Sequence, residues 1–305
     1  MRYVFGILLT VFIIYIPIIA CSDAPMLKNI KGKIVLSSQN EIKILDLETI
    51  TNKKPVWKVI LESKDEYRHP TLSPDGKQII MGYLSWEEGR PTMKGAKIYY
   101  LVSVNIDGTS LQPLLKGDEN YDYPSWSPDG KFIAFMAYPK WHEKRIDTIN
   151  LFDMTSKNIK KIKDVEVRIA KPAWSFNSQL LTFITYDEKI AIYDIKSDKL
   201  TILQEKGISP IFHPDGKRIF YVHENNNALC SINIDGSFKK VVKKGFFDYL
   251  VKFSKDGRYL LYAGGGAILI PPGHEYSTLE LLDMDKFKSH RIFKGSLLYG
   301  ASWLE

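Results

Sequence analysis

One short turn recurs along this chain and limits what it can fold into. Leu72-Ser73-Pro74-Asp75-Gly76-Lys77 returns as Trp126-Ser127-Pro128-Asp129-Gly130-Lys131, Phe212-His213-Pro214-Asp215-Gly216-Lys217 and Phe253-Ser254-Lys255-Asp256-Gly257-Arg258. Trp174-Ser175-Phe176-Asn177-Ser178-Gln179 keeps the frame but lacks Pro, Asp and Gly. With the Asp or Asn as marker, the copies fall at 75, 129, 177, 215 and 256, spaced by 54, 48, 38 and 41 residues. Pro fixes φ at the first corner, Asp can bond the backbone two residues on, and Gly accepts a positive φ. The motif therefore reverses the chain tightly between two strands.

The residues around each turn extend this pattern. Lys77-Gln78-Ile79-Ile80-Met81, Lys131 to Phe135 and Arg218 to Val222 are β-rich and nearly continuous in apolar side chains, as suits strands covered on both faces. A third strand follows each time, at Lys97 to Val102, Ile146 to Phe152, Ile190 to Tyr193 and Leu229 to Ile234. A second turn and a short fourth strand complete the unit, as at Leu111 to Leu114 and Lys240 to Val242. A four-stranded antiparallel meander with a period of roughly 40–55 residues is a propeller blade. The N-terminal unit, Lys33 to Leu36, Glu41 to Asp46 and Trp57 to Ile60, lacks a first strand. Near the end of the sequence, Ala301-Ser302-Trp303 matches Pro124-Ser125-Trp126 and Pro172-Ala173-Trp174. The last strand is therefore expected to complete the first blade. The expectation is an all-β, six-bladed β-propeller over residues 31–305, about 46 residues per blade.

The Ser-Pro-Asp-Gly frames, with Trp126-Ser127-Pro128-Asp129-Gly130-Lys131 the best match, resemble the WD-like repeats of TolB-type propellers. The resemblance covers nearly all of the chain after its first segment and implies the fold while saying little about activity. TolB carries a separate N-terminal α/β domain. Here the strands begin near residue 32, so the expectation is a propeller without that domain.

The first segment bears on compartment. Met1-Arg2 is followed by 18 uncharged residues, Tyr3 to Ala20, then by Cys21-Ser22-Asp23. A basic start, an apolar core and a small residue before the cut describe an export signal. An uncleaved membrane anchor is the alternative, but Pro17 interrupts the run, which barely reaches across a bilayer. The stretch resembles a bacterial lipoprotein signal. That resemblance implies residues 1–20 as the signal peptide, Cys21 as the lipidated N-terminus and 21–30 as a tether. It also implies an envelope location: the outer membrane facing the periplasm in a two-membrane host, as Ser22 would favour, or the outside of the plasma membrane otherwise. Cleavage takes the formal charge from +7 to +6, and the excess is spread along the chain, so nucleic acid is not an expected partner. Cys230, the other of two cysteines, is expected to be a small buried residue.

Motifs for catalysis are absent from the sequence. There is no Gly-x-Ser-x-Gly, His-Glu-x-x-His, Cys-x-x-Cys or phosphate-binding Gly-x-x-x-x-Gly-Lys loop. No cofactor is expected. In a propeller, the loops joining strand four to strand one, and strand two to strand three, share one face. Residues assigned to that face give the candidate binding set: Tyr67, Arg68, Trp86, Arg90, Tyr121, Trp141, Arg145, Arg168, Phe247 and Tyr276. Exposed Trp, Tyr and Arg are the residue types that anchor interfaces. For Tyr123, Tyr249 and Tyr299 the competing reading is packing in the central channel. His69, His142, His223 and His274 are weak candidates for a metal on the same face, against a reading as scattered surface residues. The leading expectation is a monomeric, non-enzymatic, lipid-anchored propeller that binds a protein or peptide partner in the envelope. The alternatives are a carbohydrate or peptidoglycan-fragment binder stacking on Trp86 and Trp141, and a metal-dependent polysaccharide lyase or hydrolase using the histidines.

Overall fold

Four of the five repeated turns are locked by the same cycle of side-chain hydrogen bonds. Ser73 Oγ donates to Asp75 Oδ1 at 2.6 Å and accepts from Gln78 N at 2.9 Å, while Asp75 Oδ1 accepts from Lys77 N at 3.1 Å. Ser127 with Asp129 and Ser254 with Asp256 repeat the cycle. Ser175 with Asn177 repeats it too, so loss of the Pro, Asp and Gly leaves the frame intact. The donated bonds hold the Asp75 and Asp256 carboxyls below the usual range. Where His213 replaces the serine, its Nδ1 lies 3.0 Å from Asp215 and its ring packs on Phe220 and Phe253.

The computed structural model describes residues 30–305 except 39, 51–54, 65, 87–96, 118, 140–145, 163–164, 168–170, 224–226, 265–275 and 297. Cys21 and the segment before it thus lie outside the described residues. Among the described residues, no helix is long and apolar enough to cross a membrane.

The turns connect strands that fall into six four-stranded antiparallel sheets. The chain gives β1 (Lys33–Ser38), β2 (Glu41–Asp46) and β3 (Lys58–Glu62), then β4 (Glu66–Leu72), β5 (Gln78–Trp86), β6 (Lys97–Asn105) and β7 (Gln112–Leu115). The third blade is β8 (Glu119–Trp126), β9 (Phe132–Pro139), β10 (Thr148–Asp153) and β11 (Ile159–Lys161). The fourth is β12 (Ala173–Trp174), β13 (Leu180–Ile184), β14 (Lys189–Asp194) and β15 (Lys199–Lys206). The fifth is β16 (Ile208–Phe212), β17 (Arg218–His223), β18 (Ala228–Asn233) and β19 (Lys240–Lys244). The sixth is β20 (Tyr249–Phe253), β21 (Tyr259–Gly264), β22 (Tyr276–Asp283) and β23 (Lys288–Ser296). The last strand, β24 (Leu298–Leu304), pairs with β1 and completes the first sheet as β24-β1-β2-β3. The first strands β4, β8, β12, β16, β20 and β24 follow one another around the axis.

The cores lie within and between neighbouring blades. Second and third strands are the most covered, as in β9, where all but the end residues are buried. Trp303 of β24 sits in a cluster with Ile34 and Leu36 of β1 and with Tyr259 and Leu261 of β21, so it joins the sixth blade to the first. Its Nε1 donates to Lys31 O at 3.1 Å. Cys230 is buried opposite Tyr221, and burial pushes its thiol pKa up.

Trp303, 1% exposed, is the strongest test of this seam. Trp303→Ala should cost about 3–5 kcal/mol by removing a large side chain that the blades cannot close over. Phe238→Ala, at a side chain 84% exposed, should change stability by less than about 0.5 kcal/mol. Urea unfolding of both variants reads the difference, and similar midpoints would contradict the seam.

Candidate functional site

The first strand of each blade faces the axis, so its side chains decide what the axis can hold. Four residues before the turn serine or its equivalent, the blades contribute His69, Tyr123, Lys171, Ser209, Leu250 and Gly300. Two residues closer to the turn they contribute Thr71, Ser125, Ala173, Ile211, Lys252 and Ser302. These two tiers line an axial channel of about 790 Å³.

The outer tier is aimed inward by a repeated bulge. His69, Tyr123, Lys171 and Ser209 each precede a proline. Proline brings no N–H to the ladder, and the pairing slips there: between Arg68 and Thr71, Asp122 and Ser125, and Ile208 and Ile211. His69, Tyr123 and Ser209 take φ values of 50°, 55° and 51°. A bulge of this kind redirects the side chain it carries. Gly300, at φ 139°, holds the same tier in β24; a Cβ there would lie 2.8 Å from His69 Cα. Glycine is needed where β24 approaches β4.

One side of the outer tier is satisfied internally. His69 Nδ1 lies 3.0 Å from Asp122 Oδ1, and its ring stacks on Tyr123 with centroids 3.8 Å apart. Asp122 Oδ1 also accepts from Tyr123 N at 2.7 Å. Arg68 pairs with Glu66 and lies over the Tyr99 ring at 5.8 Å.

The other side is cationic. Lys171 Nζ donates to Ala301 O at 3.1 Å. Lys171 leads into β12 and Ala301 lies in β24, on opposite sides of the ring, so the lysine reaches across the axis. Burial, helped by the charge of Lys252, pushes its pKa down to about 8. Lys252 Nζ lies 5.8 Å over the Phe176 ring of the fourth blade. Burial lowers its pKa, with Glu305 opposing and Lys255 reinforcing the shift. Tyr249 Oη and Trp126 Nε1 are buried and make no hydrogen bond to the described protein. Burial raises the Tyr249 phenol pKa, so its proton stays in place. Thr71 Oγ1 accepts from Trp126 N, and Ser302 Oγ from Leu72 N, each at 3.4 Å. Each hydroxyl retains its own hydrogen to donate. This side of the wall therefore presents several donors without acceptors among the described residues.

The sequence-derived candidates distribute unevenly. Tyr67, Tyr121 and Phe247 are buried, 2%, 8% and 6% exposed. Tyr67 and Tyr121 lie within β4 and β8 rather than in loops, and all three pack in blade cores, so their assignment to an exposed face is corrected. Arg68 lines the channel. Trp86 ends β5, paired with Lys97, and Tyr276 begins β22, paired with Ser296. Arg90, Trp141, Arg145 and Arg168 lie outside the described residues, as do His142 and His274. His69 lies in β4 and faces the channel, not a loop, while His223 ends β17. Among the described residues, no three His, Cys, Asp or Glu side chains group as metal ligands. Tyr123 and Tyr249 line the channel, as the packing alternative expects. Sequence reading missed Lys171 and Lys252. The signal for Lys171 was present, since it takes the same place before proline as His69, Tyr123 and Ser209.

The Lys171 shift sets a pH dependence. Above pH 8 the folded lysine has lost its proton, whereas the unfolded chain holds it up to the ordinary 10.5. Unfolding then takes up a proton, so stability rises between those values and is flat below them. Between pH 7.5 and 9.5 this contributes about 2 kcal/mol. Lys171→Met should remove that rise from wild-type urea titrations, and parallel pH profiles for the two proteins would refute it.

Comparison with known proteins agrees with the architecture. A family described as the TolB beta propeller domain matches residues 87–267. A TolB homologue from Chlorobium luteolum is 26% identical over 148 residues, 44% of this chain and 33% of that protein. The uncharacterized peptidase YuxL from Bacillus subtilis is 24% identical over 157 residues, 50% of this chain and 23% of that protein. The chain thus spans a third or less of these curated relatives. The crystal structure of TolB from Acinetobacter baumannii superposes with a TM-score of 0.67 at 20% identity, covering 89% of this chain and 66% of that one. That likeness concerns the fold.

Proposed function

The chain belongs to the TolB beta propeller domain family, whose match spans more than half of it, and on that premise we propose a non-enzymatic binding protein of the bacterial envelope. Its N-terminus is an export signal ending at Ala20, and a lipid on Cys21 holds it to the membrane. Its partner is a protein or peptide segment that docks over the mouth where the six fourth-to-first connections meet. The resemblance of Tyr3 to Cys21 to a lipoprotein signal supports the location, and the TolB homologues among its relatives agree with it.

The observation that favours binding is the outer tier itself. Six separate blades each place one residue at the same level of the axis, four of them before a proline. All but Lys171 lie on strands, and Lys171 is held by its bond to Ala301 O, so little conformational entropy is lost when a partner docks. The mouth mixes an aromatic stack, His69 on Tyr123, with the cationic Arg68 and Lys171. These are the residue types that anchor protein interfaces.

Photo-crosslinking in living cells tests this reading. A benzophenone side chain replacing Tyr123 should give discrete adducts with a partner, while the same group replacing exposed Phe238 should not. Equal adducts from the two positions, or none from Tyr123, would count against docking at the mouth.

A further inference from the structure

We infer that the axial channel binds an organic carboxylate, gripped between the ammonium groups of Lys171 and Lys252 with its apolar body against the channel's aromatic wall. The site shares Lys171 with the docking mouth, yet it needs only the two lysines and the channel wall, and it holds whether or not a protein seats there.

The donor surplus is the first reason. Lys171 uses one of its three N–H groups on Ala301 O. Lys252 is held over Phe176 and makes no hydrogen bond to the described protein. Tyr249 Oη and Trp126 Nε1 add two buried donors on the same wall. A buried donor without an acceptor carries an unrecovered desolvation cost, larger when the donor is charged. One carboxylate offers about four lone-pair sites and answers this excess.

Charge is the second. The remaining charged groups of the wall are largely engaged or displaced toward a mouth. Arg68 pairs with Glu66 and His69 with Asp122. Glu305 accepts from Lys255 N at 2.6 Å at the turn-side end, where Lys255 itself also lies; Glu188 completes the set. Burial is the largest influence on both lysines, and neither forms an ion pair among the described residues. A bound anion restores the charged form of each, so the free energy of burying the lysines is offset on binding.

Shape and polarity are the third. The cavity of about 790 Å³ lies within the range of small-molecule sites. Trp126, Trp174, Phe176 and Ile211 make much of the wall apolar. Inorganic phosphate would satisfy the lysines but leave that surface uncovered. A carboxylate with a ring or short hydrocarbon body satisfies both. The carboxylate can belong to a free acid or to the C-terminus of a polypeptide entering the axis, since the chemistry at the lysines is the same.

Calorimetry on the mature protein separates these sources. The probes are phenylsuccinate, its diamide, an acetylated tripeptide ending in Phe with a free carboxylate, the same tripeptide amidated, and inorganic phosphate. Binding by phenylsuccinate alone identifies a free acid, and binding by the free-carboxylate tripeptide identifies a chain terminus. The amides should not bind, and phosphate should bind at least ten-fold more weakly than the preferred carboxylate. Lys171→Met and Lys252→Met should each weaken that probe at least ten-fold, and affinity should fall from pH 7 to pH 9.5 as Lys171 loses its proton. If a variant fails to fold, NMR titration of 13C-dimethylated lysines in the wild type decides: the probe must raise the lowest lysine pKa. No carboxylate binding, binding unchanged in folded variants, phosphate binding as tightly, or a lysine titration that does not move would overturn the site.

Discussion

The hydrogen-bonded pairing of β24 with β1 is the contact on which the ring depends. It joins the two ends of the described chain, with Ile34 opposite Trp303 and Leu36 opposite Ala301. Without it, β1 and the detached β24 would each leave an open edge, and open edges invite pairing with other chains. The same strand supplies Gly300 and Ser302 to the channel and the carbonyl of Ala301 to Lys171. Closure and the chemistry of the axis are therefore one problem. A strand that seals the perimeter also completes the wall.

Two short signals, a few residues apart, divide the labour in the other blades. The Ser-x-Asp cycle fixes the reversal at one end of the first strand through local bonds that need no tertiary help. In the second, third and fifth blades the proline before it interrupts the ladder and turns one side chain into the axis. The first signal is nearly uniform because every blade needs the same turn. The second places different side chains, His69, Tyr123, Lys171 and Ser209, at one level. Uniform turns with variable axial residues let one scaffold present a specific interior.

Blade count, strand order and ring closure were legible in the sequence because they rest on local chemistry: turn residues, apolar runs and the unmatched strand at each end. The candidate site was much less legible. Tyr67 and Tyr121 look like loop aromatics, yet β4 and β8 extend through them and the bulge that follows resets the alternation of faces. They pack inside blades, Tyr121 edge-on to Phe135 with centroids 5.4 Å apart. His290 is likewise buried, in β23 opposite Leu281. Lys171 looks like any surface lysine until the ring closes and brings Ala301, 130 residues later, across the axis. Long-range geometry of that kind has no local signature.

Amide hydrogen exchange of β24 tests the closed ring most directly. A closed ring predicts that Ser302 and Leu304, which alternate with Ala301, whose carbonyl faces the axis, and so turn their amides toward β1, exchange as slowly as the central strands β9 and β17, through opening of the whole propeller. Exchange of these amides orders of magnitude faster than those of β9 would show that β24 detaches alone, and the closed ring and its axial site would fall with it.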